Sequence, residues 1–204
     1  MHYTPSRKDH GLAHDPFKAI VAPRPIGWIS SLDAAGHLNL APYSFFNAVC
    51  DHPHIVMFSS YGEKDSATHI AASGEFVCSL ATFDLREAMN ATSAPYPRGI
   101  SEAEMAGLET AASRAVKPPR VRASPAALEC KLLKTDRIAG LDGRWSGNVL
   151  VFGEVVSVYI DDAFLKEGRF DLAAARPIAR CGYMDYAVVE ELFEMVRPVL
   201  TERG

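Results

Sequence analysis

The chain has 204 residues, 48% apolar and 23% charged, with a net charge of −4 and a pI near 6.0. That suits one ordinary globular domain, able to bury roughly 70% of its unfolded surface without disulfides or metal. Disorder, collagen and coiled coils are excluded. The mild acidity gives no general footprint for nucleic acid, no apolar run approaches the ~20 residues of a membrane span, and the polar start lacks a signal peptide's apolar stretch, so the expected setting is the cytoplasm.

In chain order, residues 1–22 are polar and predict an extended arm before a domain over 23–187. Ile26 to Leu32 reads as a strand, Asp33-Ala34-Ala35-Gly36 as a turn, and His37 to Leu40 as a second strand that Pro42 interrupts. Ile55–Phe58 and Phe76–Leu80 are short apolar strands. Between them Lys64 to Gly74 predicts a helix with Asp65 as its N-cap and Gly74 just past its end. Short helices follow over Leu85–Asn90 and from Ser101, where Ser101-Glu102-Ala103-Glu104 fits a capping box. Leu128, Cys130 and Leu132 alternate with Glu129 and Lys131 as in a half-buried strand. Arg137 to Asn148 reads as a Gly-rich loop and Val149 to Ile160 as a long strand, apolar on both faces. Residues 188–204 predict a helical segment packed on the domain. Many strands, and no alternation with long helices, favour an antiparallel barrel, with a second subunit covering the long strand's outer face.

The four cysteines, Cys50, Cys78, Cys130 and Cys181, form no Cys-x-x-Cys and are expected as reduced thiols. No dinucleotide, P-loop, zincin or nucleophile-elbow motif occurs, so any nucleotide must be held by another device. Cys50-Asp51-His52-Pro53-His54 places metal-capable side chains close together, but His-x-His is weak and a surface turn explains it; no metal is expected. Lys64-Asp65-Ser66 opens a helix with free N–H groups, a cation and a hydroxyl, which serves either a phosphate or a plain helix cap. Pro42 to Asn47 sets Phe45 and Phe46 on opposite faces beside Ser44 and Asn47, suiting either a flat heteroaromatic ligand or core packing. Trp28, beside Ser30 and Ser31, poses the same choice.

Arg24-Pro25-Ile26-Gly27-Trp28-Ile29-Ser30-Ser31, followed by Asn39-Leu40-Ala41-Pro42-Tyr43-Ser44-Phe45-Phe46-Asn47, closely resembles the flavin reductase-like family of FMN-binding split barrels. Lys64-Asp65-Ser66, Gly74-Glu75-Phe76-Val77, Leu128-Glu129-Cys130-Lys131, Gly153-Glu154-Val155-Val156 and Pro177-Ile178-Ala179-Arg180 continue the order. The resemblance implies a mainly β, six-stranded antiparallel Greek-key split barrel, a homodimer, and FMN reduced by NADH or NADPH. The alternative it leaves is an FMN-bound electron carrier that does not use NAD(P)H directly. A monooxygenase or other redox protein is the implied partner. By position, Trp28, Ser30 and Ser31 line the flavin site; Ser44, Phe45, Phe46 and Asn47 hold the isoalloxazine and ribityl chain. Lys64, Asp65 and Ser66 form the phosphate end, and Arg180 lies near. No side-chain acid or base is required, so no catalytic residue is named. Ser66 stands where the family often has Thr, and His54 where it often has Pro.

Overall fold

The structure is a computed structural model that describes residues 1–198. One helical turn, α1 (Phe17–Ile20), interrupts the arm. Then come β1 (Arg24–Pro25), β2 (Gly27–Leu32), β3 (Leu38–Tyr43), β4 (Phe46–Cys50), β5 (Ile55–Tyr61), α2 (Asp65–Ser73) and β6 (Glu75–Leu80). Short elements follow: α3 (Arg86–Ala91), α4 (Glu102–Met105), β7 (Thr110–Ala111) and β8 (Arg120–Val121). The long hairpin β9 (Ala126–Ala139) and β10 (Trp145–Ile160) precedes β11 (Leu165–Lys166), β12 (Arg169–Phe170), α5 (Leu172–Ala175), β13 (Ile178–Arg180) and β14 (Tyr186–Val188).

Seven strands form one antiparallel sheet in the order β3-β2-β6-β9-β10-β5-β4. Its two edges, β3 and β4, are consecutive in the chain and joined only by Ser44 and Phe45. Three Cα steps span at most about 11 Å, so the sheet must curl until its edges nearly meet. No ladder joins β3 to β4, which makes the barrel split at the link. Gly27 on β2 helps close it: a Cβ there would stand 2.6 Å from the Phe46 ring.

The barrel interior holds Ile29, Val56, Phe58, Phe76, Cys78, Cys130 and Val151, with Ala67 and Ile70 of α2 closing over them. A second core lies outside β2, where Trp28, Leu40, Met89, Val121 and Ile178 pack under α3 and α4. Consecutive residues Trp28 and Ile29 therefore enter different cores, which is why β2 is buried on both faces. Gly153 in β10 is imposed by contact, since a Cβ would lie 2.4 Å from the Phe76 ring.

Several expectations need correction. The main sheet has seven strands, not six, because residues 46–50 pair with β5. Pro42 does not interrupt β3; it pairs with Trp28 on an edge strand, where a missing N–H costs no ladder bond. The Arg137–Asn148 loop is mostly strand: β9 and β10 extend to a turn at 140–144, exposed on both faces and so without a burial pattern to read. Glu129 does not face water; it is buried, and its carboxylate accepts the Arg114 and Ala115 N–H groups at 2.6–3.1 Å. Residues 186–188 are strand and 189–198 carry no helix, with Phe193 85% exposed. The remainder of the expected C-terminal helical segment, 199–204, lies outside the described residues. No described helix is long and apolar enough to cross a membrane.

Candidate functional site

At the split a cleft of about 710 Å³ opens, walled by Pro42, Tyr43, Ser44 and Phe45 of the edge link. β5 contributes Ser59 and Tyr61, β10 contributes Asn148, and the β13–β14 end contributes Arg180, Tyr183 and Tyr186. Asn148 Nδ2 donates to Ser59 Oγ at 2.8 Å, fixing one polar wall. Among the described residues, four cations line the cleft, Lys18, Arg24, Lys64 and Arg180, and no carboxylate does. In a chain of net charge −4 that segregation makes a strongly anion-attracting concavity.

Arg24 is the most constrained of the four. It is 7% exposed, and its guanidinium donates to the carbonyls of Lys18 (2.6 Å), Val21 and Cys181 (2.7 Å). Its Nε is buried without any partner, and its charge lies 5.7 Å from the Phe45 ring centroid. A buried unpaired donor is costly, so this one points to a ligand acceptor.

A second hollow of about 410 Å³ continues the cleft across Pro42, Tyr43, Lys64 and Ser93 to Asn39, Asp65, Ser66, Arg98 and Glu102. Here α2 begins. Lys64 is its N-terminal boundary residue, in extended conformation, and no side chain caps the helix, so first-turn N–H groups stay open. Asp65 is not the N-cap: it sits in the first turn and pairs with Arg98 at 2.9 Å. Glu102 accepts the Leu40 N–H, so both carboxylates of this hollow are occupied. Ser66 is buried, its Oγ accepting from Asn39 Nδ2 at 2.8 Å. Burial pushes the Tyr43 phenol up from its ordinary value, although the Ser66 and Ser60 hydroxyls beside it pull the other way.

The structure thus brings together Ser44, Phe45, Lys64 and Arg180 in the cleft, with Asp65 and Ser66 in its continuation. Other expected residues lie elsewhere. Trp28 is fully buried, its indole N–H bonded to Thr92 Oγ1 at 2.9 Å. Ser30 donates to the Pro119 carbonyl at 2.5 Å, and Ser31 lies buried beside Asn39. Phe46 packs against the barrel interior, and Asn47 is exposed on β4, accepting the Ala48 N–H. Local residue types could not separate these fates, because strand alternation sets Phe45 and Phe46 apart without saying which side is the cleft. The sequence does not mark Lys18, Arg24, Arg98 or the Tyr43 phenol as site groups; the signal it offers is a charged Arg24 just ahead of an apolar strand.

FMN fits this donor set. A phosphate matches the open α2 N-terminus with Lys64, a flat ring matches the Pro42–Phe45 wall, and the Arg24 Nε needs an acceptor. For a metal, Asp51, His52 and His54 bring their ligand atoms within 4.8 Å of one another, on an exposed turn whose residues are not among those lining the cleft.

Residues 21–173 match the flavin reductase like domain. An uncharacterized protein of Deinococcus radiodurans is 36% identical over 192 residues, covering 88% of this chain and 82% of that one. One from Aquifex aeolicus is 34% identical over 169 residues, covering 80% and 83%. Nitrilotriacetate monooxygenase component B from Bacillus cereus superposes with a TM-score of 0.86 at 28% identity, covering 96% and 98%. The 2-nitrobenzoate 2-nitroreductase of Pseudomonas fluorescens gives 0.85 at 27%, covering both chains fully. A split barrel domain from Shewanella frigidimarina, 23% identical with a TM-score of 0.83, shares the fold over 97% of this chain and all of that one.

Proposed function

The chain belongs to the flavin reductase-like family, and from that premise we propose that it binds FMN and reduces flavin with NADH or NADPH. The observation that carries the reading is the cleft at the barrel split, lined among the described residues by four cations and no carboxylate. FMN, when bound, supplies a ring able to accept a hydride from a nicotinamide. Lys64, the Ser66 hydroxyl and the open N–H groups of α2 hold the phosphate, and Arg98 stands by, tied to Asp65. Phe45 and Pro42 supply flat apolar wall, and Arg24 offers its unpaired Nε. The Tyr43 phenol stays protonated at neutral pH and serves as a donor between the two hollows. Lys18, Arg24 and Arg180 keep the cleft positive, stabilising negative charge that develops inside it.

A hollow of about 480 Å³ on the outer face is lined by exposed Val49 of β4 and Val158 of β10. We assign that face to a homodimer contact, and the resemblance to a monooxygenase component B supports a separate oxygenase as recipient of the reduced flavin.

The deciding experiment mixes FMN-loaded protein anaerobically with NADH, then NADPH, while flavin absorbance is followed. Rapid bleaching with either nucleotide is the expected result. Flavin that stays oxidised with both yet bleaches with dithionite makes the chain a carrier instead, and a protein that binds no FMN removes the reading.

A further inference from the structure

An apolar pocket of about 410 Å³ lies against the cleft and shares Asn90, Arg180, Met184 and Tyr186 with it. Phe83, Met89, Ile178 and Val188 form its walls. The flavin reading places nothing there.

Charge identifies what the pocket takes. Arg180 sits on β13 directly opposite Arg24 on β1, a like-charged cross-strand pair on the cleft side, and of the two only Arg180 also lines the pocket. Neither arginine forms an ion pair among the described residues; Arg180 donates only to the Tyr183 carbonyl at 2.6 Å and to Met184 Sδ, and stacks over the Tyr186 ring. The other charged lining residues are satisfied within themselves: Arg86 stacks on Phe83 at 4.0 Å and pairs with Glu87 at 3.5 Å. One half-buried, uncompensated guanidinium therefore stands at the seam between an apolar pocket and the cleft.

We propose that this pocket is a subsite for a small aromatic acid, its ring among Phe83, Met89 and Ile178 and its carboxylate on the Arg180 guanidinium. A planar apolar body matches the walls, and a carboxylate is the group a forked guanidinium pairs best. A neutral ring forfeits the ion pair, and a short aliphatic acid leaves much of the apolar wall uncovered. The subsite rests on the flavin reading only in lying beside the flavin's place.

The test is fluorine NMR of para-fluorobenzoate with the full-length protein, with and without FMN. Saturable broadening is expected, reversed by benzoate and at least about tenfold less effectively by benzamide, since the charge-assisted bond is lost. Arg180→Gln should weaken binding about tenfold or more. Ala187→Trp, which fills the pocket from β14, should abolish it while FMN binding, followed by flavin fluorescence, persists. Equal displacement by benzoate and benzamide, binding untouched in both variants, or no broadening at all overturns the proposal. Fluorobenzoate binding by a protein that fails to bind FMN would leave the subsite standing and sink the flavin reading instead.

Discussion

At the scale of single residues, burial decides which side chains can do chemistry. Lys64 has no carboxylate partner among the described residues and lies at an uncapped helix start, so Lys64→Ala should weaken FMN affinity about tenfold, as loss of one charged hydrogen bond does. Fluorescence titration checks it, and unchanged affinity takes Lys64 out of the phosphate end. The cysteines differ by the same logic. Burial raises the Cys78 thiol to about 12 and pushes Cys130 up as well, while Cys50 is exposed. The buried Cys78 thiol then stays protonated at pH 8, so a disulfide reagent should modify Cys50 first and leave Cys78 and Cys130 silent until unfolding. Mass mapping of the labelled thiols reads this directly.

Elements carry the next level. The β2–β3 turn is tied by Asp33, whose carboxylate is held down to about 2, chiefly by hydrogen bonds from the His37 side chain and backbone. A carboxyl depressed in the folded state stabilises it above the ordinary pKa of 3.8 and loses that contribution as pH falls toward about 2. Asp33→Asn should therefore lower stability at neutral pH and flatten the acid limb between those values, so that the two proteins converge as pH nears 2; identical acid limbs would refute the tie. On β10, Gly153→Ala drives a methyl into the Phe76 ring, overpacking that costs about 1–3 kcal/mol. Urea denaturation should show a lower midpoint at constant slope.

For the whole molecule, the outer valines of β4 and β10 are the test of assembly. Val158→Lys should convert a dimer to monomer in light scattering, with the flavin cleft left intact because none of its lining residues lies on that face. A wild-type protein that already scatters as a monomer ends the dimer proposal.

The sequence by itself determined the mainly β character, most strand positions, the helix from 65 to 73 with Gly74 in a left-handed conformation, and the family, because periodicity and contiguous motifs are local. It also brought forward Ser44, Phe45, Lys64 and Arg180. Only tertiary structure decided that Trp28, Ser30 and Ser31 turn inward, since an apolar strand covered on both faces shows no alternation to assign sides. Tertiary structure also placed Lys18 and Arg24 beside Arg180: residues far apart in the chain share a cleft because two residues bridge the edges of a seven-stranded sheet, and curling follows from that closure. Charge segregation of that kind is a property of surfaces, and a linear count of 21 basic against 25 acidic residues averages it away.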